Sequence, residues 1–177
     1  MSRIFGAIIQ NGYVVRDIQT AMRHWIEVLG VGPWFYVDRL SVPDFTYKGQ
    51  PSAAHISLAL ANSGPLQVEL IQQRNDEPSL YRDFLNAGHE GLQHIGYGTR
   101  QFEADLERLL HMGYTIGHYG TVGGRGPFAY LLPEGHPGTV VELLDMGHGR
   151  DRIFAGIAEA ARNWNGADPI RTVFPTA

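Results

Sequence analysis

The sequence predicts an α+β fold in which two tandem βαβββ modules form a curved mixed sheet around a cleft, followed by a C-terminal helix. Two observations predict this fold. A short strand motif occurs twice, because aligning Gln10 with His94 also aligns Gly12 with Gly96. Each copy is followed by an amphipathic helical segment and then by three segments with strand character.

The composition indicates a compact chain and excludes several classes of function. The 177 residues are 44% hydrophobic and 18% charged, so the chain can bury a sizeable core. Its net charge of −4, with no polybasic patch, argues against nucleic acid or membrane partners. The absence of cysteine excludes disulfides, thiolate catalysis and cysteine-ligated zinc sites.

The N-terminal residues lead directly into a predicted strand, without the apolar core of a signal peptide. The longest apolar runs are too short to span a bilayer. We therefore expect a soluble, cytoplasmic protein.

The first copy predicts the order βαβββ. Its helix begins after Asp17, a suitable N-cap residue, and ends near Gly30, which accepts the left-handed helix cap. Residues 41–52 are rich in Ser, Pro, Asp and Gly and predict a loop that can cover a pocket. The predicted strands of this copy span residues 4–15, 34–37, 54–60 and 66–72.

The second copy repeats this order after a polar connection, in which residues 79–86 predict a short helix. Its main helix is predicted over residues 102–112 and ends at Gly113. Glycine-rich turns at 123–126 and 134–138 separate its later strands. The predicted strands of this copy span residues 94–98, 114–119, 128–132 and 139–144.

A final helix is predicted over residues 152–163, beyond the duplicated region. It can cover a sheet edge or a dimer interface, and the sequence does not choose between them. An open sheet edge beside such a helix favours a homodimer. The predicted segments are a first module (1–73), a linker with a short helix (74–90), a second module (91–146) and the C-terminal helix and tail (147–177).

An acidic residue lies in the middle of the apolar last strand of each copy. Glu69 lies within LQVELI and Glu142 within VVELL. A carboxylate buried in a strand is costly unless it is paired or binds a metal. If the two modules face each other, their first and last strands direct Gln10, Glu69, His94 and Glu142 into one cleft. One nitrogen and three oxygens suit a divalent ion such as Zn²⁺, Ni²⁺, Co²⁺ or Mn²⁺.

Each of these residues also has an ordinary explanation when it is considered alone. His94 would be a core histidine, Gln10 an edge-strand amide, and Glu69 or Glu142 a solvent-facing acid. Their equivalent positions in two repeats favour the metal site. Strand alternation also places His55 in the cleft as a possible second acid or base, with a structural or surface role as the alternative.

Other polar residues near the turns carry weaker signals. Arg125 lies in a glycine-rich turn, from which its side chain can reach an anionic part of a substrate. Three histidines, at positions 118, 136 and 148, lie in or near predicted turns, and we expect them to be solvated.

The two modules resemble the vicinal-oxygen-chelate superfamily, which includes glyoxalase I, methylmalonyl-CoA epimerase, extradiol dioxygenases and bleomycin-resistance proteins. The resemblance covers residues 4–145. The stretch EGLQHIG, residues 90–96, is similar to EGLHHIA of the epimerases, and residues 139–143 resemble their last strand. The set Gln10, Glu69, His94 and Glu142 is similar to the ligand set of glyoxalase I, since the epimerases have histidine where this chain has Gln10.

This resemblance implies a metal-dependent lyase, isomerase or epimerase that removes a proton beside a metal-bound carbonyl. By similarity to glyoxalase I, Glu142 is expected to be the base, and Gln10, Glu69 and His94 the fixed metal ligands. The expected substrate is a glutathione hemithioacetal, a CoA thioester or a related small carbonyl compound. Relatives commonly form homodimers.

Two other functions remain compatible with the resemblance. An extradiol-type dioxygenase would need two histidines and one carboxylate for Fe(II), and Gln10 in place of a histidine counts against it. A non-catalytic binder of the bleomycin-resistance type generally lacks the full ligand set. The presence of all four candidate ligands counts against that alternative.

Overall fold

The computed structural model describes residues 2–136 and 138–176. The described chain contains four helices: α1 (Ile18–Glu27), α2 (Leu80–Asn86), α3 (Phe102–His111) and α4 (Arg150–Arg162). Its strands are β1 (Gln10–Val14), β2 (Trp34–Val37), β3 (Thr46–Tyr47), β4 (Gln50–Pro51), β5 (Ile56–Ser63), β6 (Leu66–Gln73), β7 (Gly91–Thr99), β8 (Tyr114–Thr121), β9 (Pro127–Pro133), β10 (Val140–Asp145) and β11 (Ile170–Arg171).

All of these strands belong to one curved, unclosed sheet in the order β11-β2-β5-β6-β1-β7-β10-β9-β8-β3-β4. The first strands of the two repeats, β1 and β7, pair antiparallel at its centre. The last strand of each repeat pairs parallel with the first, β6 with β1 and β10 with β7. The predicted α+β fold with two βαβββ repeats is therefore confirmed, and the pairing places the first and last strands of both repeats side by side.

The first strand is shorter than expected, since β1 covers Gln10–Val14 rather than residues 4–15. The preceding chain forms a turn in which the Ser2 hydroxyl accepts hydrogen bonds from the Ile4 and Phe5 amides. Gly6 closes this turn with a positive φ of 77°. These local bonds satisfy backbone groups that would otherwise need a neighbouring strand.

The loop predicted over residues 41–52 contains the hairpin β3–β4. Although it belongs to the first repeat, its strand β3 pairs with β8 of the second repeat, with Thr46 opposite Tyr119. The aromatic and β-branched residues of β3 suit a strand, and the pairing covers the edge of β8. The preceding residues Ser41 and Val42 line a cavity, so the loop also covers a pocket, as expected.

Two helices pack on the outer face of the sheet. Ile18 and Met22 of α1 are fully buried in one cluster with Trp34 and Leu70. Phe102 and Leu109 of α3 form a second cluster, which includes the β9 residues Ala129 and Leu131 and the β10 residues Val141 and Leu143. The opposite face of the central strands is therefore left to form the cleft.

The C-terminal helix α4 packs on the inner face of the first repeat, so it does not cover a sheet edge, which was one of the two positions predicted from the sequence. Ile153 and Ile157 form a buried cluster with Phe35, Leu58 and Leu60. The edge strand β2 is instead covered by β11, which pairs with it in parallel. Within the described residues, no helix combines the length and the apolar character needed to cross a membrane.

Candidate metal centre

Strand pairing brings the four predicted ligand residues into one buried region. Gln10 lies on β1, Glu69 on β6, His94 on β7 and Glu142 on β10. Each is at most 6% exposed. His94 Nε2 lies 3.2 Å from Glu69 Oε2 and 3.4 Å from Glu142 Oε2. One ligand atom from each of these three residues lies within 4.8 Å of the others, a spacing that suits a shared metal ion.

Gln10 directs its side-chain oxygen toward the same place. Its Nε2 donates a 2.9 Å hydrogen bond to Gln67 Oε1, which fixes the amide. A Cβ built at Gly96 would lie 3.0 Å from Gln10 Oε1 and 3.5 Å from Glu142 Oε2, so both oxygens flank one point above Gly96. The amide oxygen of Gln10 therefore faces the carboxylate of Glu142.

The polar atoms of this region fit a divalent cation. Among the described residues, Gln10 Oε1 is buried without a hydrogen-bond partner, and Glu142 Oε2 has only the long 3.4 Å contact with His94 Nε2. Leaving buried acceptors unpaired is costly, and two facing acceptors cannot satisfy each other. A cation would satisfy both, and a set of one imidazole nitrogen with three oxygens suits Zn²⁺ and similar divalent ions.

Gln93 determines which nitrogen of the His94 ring carries the hydrogen. Gln93 Oε1 lies 2.7 Å from His94 Nδ1, and an amide oxygen can only accept. Nδ1 therefore carries the hydrogen, which leaves Nε2 of the neutral ring free to bind a metal. Metal-binding histidines commonly have such a partner on the other ring nitrogen.

The carboxylates control the charge of the region when no ion is bound. Burial alone would lower the pKa of His94, but Glu142 and Glu69 outweigh this effect and raise the pKa to about 9. Burial raises the pKa of Glu142, and the negative charge of Glu69 adds to the increase, while His94 opposes it. The cluster thus holds a proton that a cation would displace.

Two buried tyrosines adjoin the cluster. The Tyr130 hydroxyl lies 3.3 Å from His94 Nε2 and accepts a 3.1 Å hydrogen bond from the Tyr81 hydroxyl. Burial raises the pKa of both phenols well above the usual value, so both remain neutral. Neither residue is among those predicted from the sequence. Tyr130 lies opposite Glu142 in the β9–β10 pairing, so the predicted hairpin could have indicated that Tyr130 is near the site. Nothing in the sequence of α2 indicates that Tyr81 is near it.

The expectation that His118 is solvated was wrong. His118 lies within β8 and is fully buried, because the rings of Phe45 and Tyr81 pack against it, each at 4.7 Å between ring centroids. Its Nε2 accepts a 2.8 Å hydrogen bond from the Leu80 amide at the start of α2. Burial, together with smaller effects of the charges of His94 and Lys48, lowers the pKa of His118 to about 3, so the ring is neutral. The other two histidines of that group, His136 and His148, are exposed as expected.

A cavity of about 380 Å³ opens onto the cluster. Gln10, Glu69 and Glu142 form its polar end together with the two tyrosines. Its walls are mainly aliphatic and aromatic: Val37, Leu40, Val42, Ile56, Leu58, Leu60, Val122, Phe128, Leu144, Ile153, Phe154 and Phe174. Three arginines also line it, at positions 39, 125 and 150. The site can therefore enclose a small, largely apolar molecule beside a metal ion.

His55 does not join the other predicted residues. It lies immediately before β5, where its amide donates to Asn75 Oδ1, and it is not among the described residues that line the cavity. The structure thus brings together Gln10, Glu69, His94 and Glu142 but not His55.

Solved structures share this fold at low sequence identity. Methylmalonyl-CoA epimerase from Mycobacterium tuberculosis has a TM-score of 0.62 and 16% identity, with 86% of this chain and 95% of that chain covered. A hypothetical protein from Bacillus halodurans C-125 has a TM-score of 0.59 and 19% identity, with 78% and 93% covered. Streptomyces coelicolor methylmalonyl-CoA epimerase (S115T), in complex with 2-nitronate-propionyl-CoA, has a TM-score of 0.51 and 18% identity, with 80% and 94% covered.

The sequence comparisons identify the family but no individual relative. No curated protein sequence matches the chain significantly. The sequence model of the Glyoxalase/Bleomycin resistance protein/Dioxygenase superfamily matches residues 9–130, which is more than half of the chain. The chain therefore belongs to the glyoxalase/bleomycin resistance protein/dioxygenase superfamily.

Proposed function

We propose that the protein is a metal-dependent lyase, isomerase or epimerase that removes a proton from the carbon beside a carbonyl group. The observation that carries this proposal is the buried cluster of Glu69, His94 and Glu142 at the end of a mainly apolar cavity. Membership of the superfamily and the fold shared with methylmalonyl-CoA epimerases support it.

Gln10, Glu69, His94 and Glu142 would hold the metal, as Zn²⁺, Ni²⁺, Co²⁺ or Mn²⁺. When bound, such an ion acts as a Lewis acid that draws electron density from a carbonyl oxygen and so makes the neighbouring C–H more acidic. Gln67 and Gln93 orient two of these ligands through hydrogen bonds to Gln10 and His94. Ligands held in this way lose little freedom on binding the ion.

Glu142 is the residue we assign as the base. Its carboxylate lines the cavity, and among the described residues its Oε2 has only the 3.4 Å contact with His94 Nε2. Burial raises the pKa of Glu142, which makes the carboxylate a stronger base than a solvated one. The apolar walls exclude most water from the carboxylate, so its charge is poorly solvated and it accepts a proton more readily.

A non-catalytic small-molecule binder is the second candidate, because the cavity is mainly apolar. Such a protein would bind its ligand without proton exchange. An extradiol-type dioxygenase is less well supported, since the cluster offers one histidine and two carboxylates rather than two histidines and one carboxylate. The homodimer expected from the resemblance remains a prediction, to be checked by sedimentation equilibrium.

The experiment that tests the proposal measures metal content and proton exchange together. The purified protein is analysed for bound divalent ions, and deuterium incorporation from D₂O is followed by NMR with methylmalonyl-CoA and with the methylglyoxal–glutathione hemithioacetal. We expect one divalent ion per chain and exchange with at least one compound. Glu142→Gln should abolish exchange, whereas the matched control Glu134→Gln, in an exposed turn, should not.

Each outcome of this experiment separates the candidates. A metal-free protein that cannot be loaded with any of the four ions would refute the metal site. Metal binding without exchange would favour the non-catalytic binder. Exchange that survives in Glu142→Gln would assign the base to another residue.

A further inference from the structure

Arg150 is a buried cation at the wall of the same cavity. It occupies the first position of α4 and is 5% exposed. Its guanidinium donates three hydrogen bonds, all to backbone carbonyls: those of Gly126, Pro127 and Asp145. A guanidinium has five N–H groups, so two remain for another acceptor. The carbonyl bonds hold the cation in place but do not neutralise it.

No carboxylate within the described part of the chain lies within 4.0 Å of the guanidinium of Arg150, Arg125 or Arg39. The nearby Asp145 carboxylate instead contacts the Gly147 amide and His148 Nδ1. A buried charge without a partner is costly, and a second positive charge beside it adds to that cost.

The charges around Arg150 indicate that the cavity can bind an anion. Burial lowers its pKa, the charge of Arg125 lowers it further, and Glu142, Asp145 and Glu69 act in the opposite direction. A divalent ion held by Glu69 and Glu142 would offset the charge of those two residues. Asp145 would then be the one negative charge among these three that still acts on Arg150, and an excess of positive charge at the cavity wall is the arrangement expected of a site for an anion.

The strand β10 sets the separation between the two ends of the cavity. Arg150 binds the carbonyl of Asp145, which lies three residues along the strand from Glu142. Three residues of extended strand span about 10 Å. An anion at Arg150 therefore lies several bonds away from a carbonyl group that reacts beside Glu142.

We propose that the cavity selects an oxo acid with an apolar chain, whose carbonyl lies at the Glu69–His94–Glu142 cluster and whose distant carboxylate binds Arg150 and Arg125. This inference rests on the proposed function for the position of the carbonyl. The anion site itself rests on the arginines, on the cavity walls and on an ion that offsets the charges of Glu69 and Glu142, but not on proton removal from the substrate. Aliphatic residues such as Leu58, Leu60 and Leu144 would contact the chain between the two polar ends.

The test uses the full-length protein loaded with Zn²⁺ and a series of methyl ketone acids: 4-oxopentanoate, 5-oxohexanoate and 7-oxooctanoate. Each acid is paired with its methyl ester, which keeps the carbonyl and chain but removes the charge. Affinity is measured by isothermal titration calorimetry. We expect the best acid to bind about ten-fold or more tightly than its ester, because hydrogen bonds to charged groups are the stronger ones.

Substitution of the arginines locates the anion. Arg125→Gln, in a partly exposed turn, should weaken binding of the acid and leave that of the ester unchanged. Arg150→Gln should do the same if the variant folds, which circular dichroism determines; if it does not fold, Arg125→Gln alone decides. The matched control Arg152→Gln, exposed on the same helix, should bind the acid as the wild type does.

Deuterium exchange beside the ketone, measured on the same samples, separates the two proposals. Preference for the acid without exchange would support the anion site and count against the proposed function. Exchange with equal affinity for acid and ester would support the proposed function and overturn the oxo acid. Failure of every acid to bind, or equal loss of acid and ester binding in Arg125→Gln, would also overturn it.

Discussion

Gly12 lies directly opposite His94 in the antiparallel pairing of β1 with β7, and the His94 ring occupies the space that a side chain at Gly12 would need. A Cβ at Gly12 would lie 1.8 Å from His94 Cε1 and 2.0 Å from Nε2. Such distances are far below van der Waals contact. The absence of a side chain on one repeat therefore makes room for the metal-ligand candidate of the other.

Gly12→Ala is expected to weaken metal binding. The added methyl group cannot coexist with the His94 ring, so the ring must leave its position between Glu69 and Glu142. We expect the affinity for Zn²⁺ to fall by about ten-fold or more, as for other changes that misorient a metal ligand. Competition titration with a chromogenic chelator measures this loss.

The chain offers matched controls for this substitution. Gly135→Ala adds the same methyl group where no atom lies within 4 Å, and it should leave the affinity unchanged. Gly96→Ala should give a smaller loss than Gly12→Ala, because its Cβ would lie 3.0 Å from Gln10 Oε1. Unchanged Zn²⁺ affinity in Gly12→Ala would mean that His94 is not a ligand.

The repeat explains how much of this site can be predicted from the sequence. Two copies of one motif imply equivalent strands, and an acidic residue at the same place in each last strand implies a shared position. These relations predict that Gln10, Glu69, His94 and Glu142 share one site. The alternation of side chains along a strand can be read from local sequence, and the duplication gives equivalent strands in both repeats. The two glycines of the motif also align, although their role becomes visible only in the β1–β7 register.

Other residues of the site depend on contacts between distant segments. Tyr81 enters from α2, and Arg150 reaches the cavity because α4 packs on the inner face of β5. No periodicity within either segment specifies those positions. His118 lies inside the strand predicted over residues 114–119, but its burial comes from Phe45 and from Leu80 and Tyr81 of α2, which contact it from distant parts of the chain.

Metal binding is expected to release a proton at neutral pH. Without an ion, the carboxylates of Glu142 and Glu69 overcome the effect of burial and raise the pKa of His94 to about 9, so the ring is protonated. The ion requires the neutral ring, and its apparent affinity should therefore increase with pH until about pH 9. Calorimetric titration of Zn²⁺ at pH 7.5, in two buffers with different ionisation enthalpies, measures the proton released. Identical heats in both buffers would contradict the prediction.

The metal-free protein is expected to lose stability at alkaline pH. The pKa of His94 is higher in the folded protein, at about 9, than its ordinary value of 6.5. The stabilisation from the protonated ring is therefore fully present below about pH 6.5 and is lost as the pH rises through about 9. Urea unfolding in the presence of a chelator, from pH 6 to pH 9.5, measures the free energy of unfolding. His94→Gln should flatten this dependence, and an equally steep decrease in the variant would assign it to another group.

The packing of α4 on the sheet is expected to contribute strongly to stability. Ile157 is fully buried in the cluster with Phe35, Leu58 and Leu60. Ile157→Ala removes this packing and should lower the free energy of unfolding by about 2–5 kcal/mol, the usual cost of such a cavity. The control Ala155→Gly changes an exposed position of the same helix and should cost only about 1 kcal/mol. Equal costs for the two variants would show that α4 is not firmly packed.

Gln93 forms a β-bulge in β7. In the pairing of β7 with β1, Gly12 lies opposite His94 and Tyr13 opposite Leu92, so Gln93 has no partner on β1. The extra residue disturbs the alternation of side chains, which allows Gln93 to contact its neighbour His94. This explains why two consecutive polar residues of one strand are both buried.

Gln93→Leu should therefore weaken metal binding without removing a ligand. The substitution leaves His94 Nδ1 without its acceptor, so the ring can reorient or place its hydrogen on Nε2, the atom that faces Glu69 and Glu142. We expect the affinity for Zn²⁺ to fall by about 10- to 100-fold. The control Gln101→Leu, at an exposed position before α3, should bind as the wild type does. A wild-type affinity in Gln93→Leu would show that the strand alone orients His94, since the bulge would then hold the ring without help from the amide.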